Sequence, residues 1–495
     1  GTSDFKSLID EKLYYVDKTP LIADIIKGSR ITLLPRPRRF GKTLNMSMLN
    51  YFFSNQHDYR HLFDGLAITK NADAMKHCGQ YPVIFLSFKD VKVPTFERCF
   101  DKLNYLTQQL YITHANLLET EIFVEKEREQ FLAILNGSAN QNLVEQSILL
   151  LSTLLHRHYH KPVVILIDEY DMPINSAYTQ GYYEELVGFL RNLLSGAFKD
   201  NPSLFKGVMT GILRIARESI FSGLNNIEVC SLAEQDFNQY FGFTEPETEK
   251  LLADYQLTHR LPAVREWYNG YNFGEVTIYN PWSILHLAKK RGELKPYWLN
   301  TSDNALVRDL IARSSLLVKQ ELESLLVDNN AVVRKPLNEH IVFRDIHQSN
   351  DALWNFLLFS GYLSYKNLSI ECKHLYADLG IPNMEVASFY EDSILAWFSE
   401  RPNSDLELPD ILTLLIRCDF DSFSRAFRRF CADTFSYFDV KGKQPERFYH
   451  AFVLGMLVQL QKTHTIKSNR ESGYGRYDVC LIPHDKSQPG FVFEF

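Results

Sequence analysis

Leu34-Pro35-Arg36-Pro37-Arg38-Arg39-Phe40-Gly41-Lys42-Thr43 follows the apolar run Ile31–Leu34 and precedes a helical pattern. A loop so placed brings backbone N–H groups and a helix N-terminus to one point, which is what a chain of phosphates needs. Gly41 permits close backbone approach, Lys42 reaches the β- and γ-phosphates, and the Thr43 hydroxyl coordinates Mg²⁺. The full motif has a glycine where this chain has Arg36. Pro37 biases Arg36 toward extended backbone, so the loop still turns without that glycine. Arg36, Arg38 and Arg39 add positive charge beside the phosphates, and Pro37 and Phe40 complete the loop. The reading is an ATP site over Arg36–Thr43, with Lys42 also counted among the catalytic groups.

The second half of such a site is Val163-Val164-Ile165-Leu166-Ile167-Asp168-Glu169. Five apolar residues rich in β-branching predict a strand buried on both faces. At its carboxyl end Asp168 is expected to hold Mg²⁺ and Glu169 to polarise the attacking water. Asp171 reads as a solvated turn residue. A further strand over Leu204–Thr210 sets Thr210 beside the phosphates as a sensor, with Arg214 and Arg217 as charge-stabilising arginines, in cis or across an oligomer interface.

Composition sets the frame. The chain has 495 residues, 45% hydrophobic and 23% charged, enough for two to four domains with real cores. Lys and Arg number 53 against 60 Asp and Glu, a net −7, so nucleic-acid contact needs a local patch. The longest apolar run, Ala451–Val458, is eight residues, far short of a membrane span. No basic-then-apolar leader opens the sequence, and its first residue is Gly rather than Met, as in a trimmed chain. Seven scattered cysteines without a C-x-x-C pair read as reduced, buried thiols in a cytoplasmic protein.

Strand runs alternate with helical patterns through the first 230 or so residues. Ile31–Leu34, Val83–Phe88, Val163–Ile167 and Leu204–Thr210 are the strands, and Glu184–Lys199 carries a wide apolar stripe at helical period. From about Ala233 to Gly380 the strand signal fades and aromatic-rich helices dominate. One of them, through Trp354–Phe359, is ended by Gly361. The last 115 residues hold an amphipathic helix, Glu446–Gln461, and strand-like runs near Val479 and Phe491.

Several further stretches carry a resemblance. They are Tyr15-Val16-Asp17-Lys18-Thr19, the arginine-rich loop itself, Ser219-Ile220-Phe221-Ser222-Gly223-Leu224-Asn225-Asn226, Tyr268-Asn269-Gly270-Tyr271, Tyr279-Asn280-Pro281-Trp282 and Ser360-Gly361-Tyr362-Leu363. Together they resemble the bacterial AAA-ATPase-like proteins with a C-terminal PD-(D/E)XK nuclease-type domain. By that resemblance, Arg36 in place of glycine is the family's own pattern. The resemblance also implies a metal-binding acid on one strand and Glu-x-Lys on the next. Asp478 and Glu494, 16 residues apart, suit a hairpin that brings both carboxylates to one Mg²⁺ or Mn²⁺, with Glu446 as a third acid. The lysine of that pattern falls after Phe495, so the domain is read as C-terminally incomplete. Residues 441–495 hold eight Lys/Arg and five Asp/Glu, a local surplus that fits nucleic acid weakly.

Two clusters are set aside. His156, His158 and His160 read as surface histidines at a helix end rather than a zinc site. Arg425, Arg428 and Arg429 beside Phe423, Phe427 and Phe430 read as an amphipathic helix with its phenylalanines in a core, not as an RNA-stacking face.

The expected architecture is α/β. A P-loop NTPase parallel sheet spans residues 1–232, a helical, winged-helix-like lid region 233–380, and an α/β restriction-endonuclease-like domain 381–495. The expected activity is Mg²⁺-dependent ATP binding and hydrolysis coupled to DNA or RNA, with a protein partner or homo-oligomer and no membrane. The alternative is a nucleotide-dependent switch or scaffold whose nuclease-like domain only recognises a ligand.

Overall fold

Ile31, Leu33 and Leu34 are buried together in β1 (Ile31–Pro35), and such runs have no solvent face to offer. The same holds for β3 (Val163–Asp168), where every residue is buried. Strands covered on both faces belong in a parallel sheet flanked by helices. They form one here with β2 (Val83–Ser87), β4 (Leu204–Gly211) and β5 (Ile227–Val229), in the order β2-β3-β4-β1-β5 and parallel throughout. The parallel α/β sheet expected from sequence is therefore present, and its first four strands are the four predicted.

The computed structural model describes residues 2–213, 227–299, 304–327, 331–339, 346, 349–399, 408–434, 457, 460, 462–472 and 475–494. Among them, Gln141–Tyr159 and Tyr183–Phe198 are helices that pack against each other beside the sheet. The first is capped where Asn140 accepts from the Leu143 N–H, and it stops at His160 in left-handed conformation (φ 51°). The second buries Leu186, Val187, Phe189, Leu190, Leu193 and Leu194, as its stripe predicts.

By contact, the chain divides into two units. One comprises Gly1–Pro262, Asn269–Glu293 and Asn338–Gly361. It holds the parallel sheet, a small antiparallel sheet and the helix Asn350–Ser360. That antiparallel sheet is β6 (Phe243–Thr244), β7 (Tyr271–Phe273) and β8 (Val276–Tyr279), in the order β6-β8-β7. Gly361 ends Asn350–Ser360 at φ 89°, as read from sequence.

The other comprises Ala263–Tyr268, Leu294–Leu337 and Tyr362–Phe495. It holds two three-stranded antiparallel sheets. The first is β9 (Val333–Pro336), β10 (Ser364–Glu371) and β11 (His374–Gly380). The second is β12 (His464–Ser472), β13 (Gly475–Pro483) and β14 (Phe491–Phe493), which includes the two strand runs expected near Val479 and Phe491. Leu481, Val479 and Phe491 of that sheet share a core with Ile411, Leu412 and Leu415, and Phe423 and Phe427 pack on it, as a core-facing helix requires.

Two expectations need correction. Helices dominate residues 233–380, but six short antiparallel strands interrupt them. The thiols are not uniformly buried: Cys78, Cys99 and Cys230 are, whereas Cys372 and Cys418 are exposed on turns. Glu446 and the helix read over Glu446–Gln461 lie outside the described residues, apart from isolated positions. No helix among the described residues is long and apolar enough to cross a membrane.

Candidate nucleotide site

In parallel α/β sheets the loops that leave the carboxyl ends of the strands meet at one edge, and ligands bind there. Here those loops are 36–41 after β1, Glu169–Asp171 after β3 and Ile212–Leu213 after β4. β4 lies between β1 and β3, with Leu34 opposite Thr210 and Ile167 opposite Met209. Thr210 therefore sits between the phosphate loop and the acidic strand end.

The side chains converge on Asp168, which is fully buried. The Thr43 hydroxyl donates to one carboxylate oxygen at 2.9 Å and the Thr210 hydroxyl to the other at 2.6 Å. Ser87, at the end of β2, donates more weakly at 3.4 Å. Gly41 takes φ 86°, a left-handed conformation open to glycine, and the helix Lys42–Phe53 starts from it. The Lys42 ammonium is buried and donates to the carbonyls of Arg36 and Pro37, both at 2.9 Å. Burial pulls its pKa down, against the opposing pull of Glu169, Asp171 and Asp168. Glu169 adopts φ 53°, unusual for a side-chain-bearing residue. Burial raises its carboxyl pKa, and the neighbouring Lys42 only partly offsets that.

Asp171 is not the solvated turn residue expected. It is buried and accepts the Ile212 N–H at 2.8 Å and the Leu213 N–H at 3.0 Å. Desolvation pushes its pKa up in spite of those bonds. Tyr170 completes the clamp: its N–H donates to Thr210 O at 3.0 Å and its hydroxyl to Leu213 O at 2.6 Å. A Cβ at Gly211 would stand 2.7 Å from both Asp171 and the Tyr170 ring, so only glycine fits.

The loop arginines part company. Arg36 is wholly buried and donates to Pro35 O at 2.8 Å and Cys230 O at 2.7 Å, with the Phe241 and Phe273 rings 5.2 and 5.4 Å away. Its side chain fastens the loop to the segment after β5. Phe40 is also buried, edge-on to Tyr271 at 5.0 Å. Both contribute backbone to the loop and side chain to the protein interior. Arg38 acts electrostatically on Lys42 and Glu169. Arg39 is exposed and lies over the Trp282 ring at 4.4 Å.

Arg214 and Arg217 lie outside the described residues. So do the Asp478 side chain and Glu446. Glu494 is exposed, directly after β14. The β13–β14 pairing ends with Val479 opposite Phe493, and positions 478 and 494 are the next along each chain segment.

Sequence reasoning missed Ser87, Asp171 and the contact of Trp282 with the loop. Asp171 had one legible signal, a third acid in Asp168-Glu169-Tyr170-Asp171, but burial depends on what covers the turn.

Residues 1–221 match the family described as predicted AAA-ATPase, AAA-ATPase-like, and residues 444–495 match the PD-(D/E)XK nuclease superfamily. The chain carries an AAA-ATPase-like domain and a PD-(D/E)XK nuclease superfamily domain. The resemblance read from its motifs is thus borne out at both ends. An uncharacterized protein in the vnfD 5′ region of Azotobacter chroococcum mcd 1 is 26% identical over 499 residues, covering 97% of this chain and 85% of that one. Among solved structures, a signal transduction ATPase with numerous domains, bearing a tetratricopeptide repeat sensor, from Pyrococcus horikoshii aligns at 11% identity and a TM-score of 0.30. The alignment covers 90% of this chain and about half, 53%, of that one.

Proposed function

We propose that the AAA-ATPase-like domain binds and hydrolyses ATP with Mg²⁺, and that turnover is coupled to binding or processing of nucleic acid through the PD-(D/E)XK domain. One observation carries the reading: a buried carboxylate, Asp168, held between the Thr43 and Thr210 hydroxyls beside the buried Lys42. That donor set suits a hard divalent cation, which favours oxygen ligands and one or two carboxylates. Thr43 and Asp168 would hold the ion, which supplies charge neutralisation on the phosphate oxygens.

The remaining roles belong to the chain itself. Lys42 exchanges its two carbonyl acceptors for phosphate oxygens, and the backbone of Arg36–Gly41 wraps the phosphates. Glu169, positioned one residue past the strand, accepts the proton of the attacking water. Thr210 orients that water or the terminal phosphate, and Arg38, with Arg214 and Arg217 in the segment that follows β4, stabilises developing charge. In the C-terminal domain, Asp478 and Glu494, joined by Glu446, would hold Mg²⁺ or Mn²⁺ near the phosphodiester of DNA or RNA. The match to the nuclease superfamily and the nearness of positions 478 and 494 to the paired Val479 and Phe493 support this part.

The links from Arg36, Phe40 and Asn45 to residues 230–273 favour a second reading, a nucleotide-dependent switch. The test is hydrolysis of ATP by the full chain, with and without Mg²⁺ and DNA, beside Lys42→Ala and Glu169→Gln. Turnover abolished by both substitutions and raised by DNA supports the coupled ATPase. ATP binding without turnover supports the switch.

A further inference from the structure

Arg39 presents a puzzle within the phosphate loop. Its φ is 68°, a left-handed conformation that glycine adopts freely and a residue with a Cβ resists. A side chain kept at such a position calls for a use. Yet the exposed Arg39 guanidinium makes no hydrogen bond or ion pair among the described residues; its partner is the half-buried indole of Trp282, 4.4 Å away. Trp282 is held firmly. It is the second residue of the helix Pro281–Lys289, its backbone N–H donates to the Asn280 side chain at 2.9 Å, and the His286 ring lies 4.4 Å from its own, one turn along. Tyr279-Asn280-Pro281-Trp282 has no part in the nucleotide chemistry set out above.

Resting on the nucleotide-site reading, we propose that Trp282 is part of the nucleotide site: it stacks on Arg39 of the phosphate loop and gives it up when a nucleoside triphosphate binds. A guanidinium has five N–H donors, and a lone stack on an indole satisfies none of them. Bonds from guanidinium to phosphate are charge-assisted and stronger than an exposed cation–π contact. Phosphate arriving at the loop therefore draws Arg39 off the ring, and the helix Pro281–Lys289 registers whether the site is filled. The stack also keeps the guanidinium close to the phosphates, so less freedom is lost when it engages them.

The test uses the full chain with Mg²⁺, titrated with ATP and with ADP, following tryptophan emission and calorimetric binding in parallel. In the parent, emission changes along the calorimetric isotherm. Trp282→Phe loses most of that change, although four other tryptophans remain. Arg39→Ala loses it too and binds ATP about tenfold more weakly, whereas Arg39→Lys keeps part of the affinity. An emission change of parental size in Trp282→Phe, or parental affinity in Arg39→Ala, overturns the inference and leaves the nucleotide site standing. A parent that gives no calorimetric binding overturns both.

Discussion

At the scale of single residues, the Thr43 and Thr210 hydroxyls donate to Asp168, while the Lys42 ammonium donates to the Arg36 and Pro37 carbonyls. Thr210→Val removes the 2.6 Å donor to Asp168 and leaves a buried carboxylate oxygen short of a partner. The expected result is a loss of about 10- to 100-fold in ATP turnover with a smaller loss of ATP affinity, read from kcat against binding; Thr210→Ser keeps most of both. Glu169 gives a pH prediction with a definite sign. Burial holds its folded-state carboxyl above the unfolded value, so the folded protein binds that proton more tightly. Its contribution favours the fold below the unfolded pKa and turns against the fold as pH rises through the folded one. Glu169→Gln should therefore melt higher than the parent at pH 7, by roughly 2–4 °C for each ~1 kcal/mol relieved, and the gap should close toward pH 4. The loop, Asp168 and Glu169 were legible because their residue types and order carry the chemistry. The destination of the Arg36 side chain was not, because it depends on Cys230, Phe241 and Phe273, two hundred residues away.

At the scale of elements, the insertion of β4 between β1 and β3 is what sets Thr210 against Asp168. The turn after β3 then grips the exit of β4 through Tyr170 and Asp171. Gly211→Ala drives a methyl to within 2.7 Å of both, and chemical denaturation should show a loss of about 1–3 kcal/mol. Ile165→Ala, in the fully buried middle of β3, should cost about 2–5 kcal/mol in the same assay. The first four strands were readable since each is a buried apolar run between turn signals. β5 to β9 were not: they have two to four residues each, too few for an alternating pattern to stand out. In β10, only Ser364 and Tyr365 are buried, so it carries little apolar signal.

At the scale of the whole molecule, an AAA-ATPase-like domain and a PD-(D/E)XK domain share one chain whose net charge is −7. Under the proposed coupling, nucleic acid would have to be gripped by a local patch. Residues 441–495 hold eight Lys/Arg, so at about −0.9 per phosphate neutralised the log–log dependence of DNA affinity on salt should have a slope of about −7 or shallower. A much steeper slope would place the contact elsewhere in the chain. The domain pairing was legible from scattered motifs, whereas no short motif encodes how two domains would be coupled.

The central claim is that Lys42, Thr43, Asp168 and Glu169 form one catalytic nucleotide site. Single-turnover hydrolysis of ATP, with binding measured on the same samples, tests it most directly. The account predicts that the parent binds and hydrolyses ATP only with Mg²⁺, that Lys42→Ala binds poorly, and that Glu169→Gln binds at least as well as the parent and does not hydrolyse. Hydrolysis by Glu169→Gln at the parental rate, or ATP binding indifferent to Lys42→Ala, would contradict it.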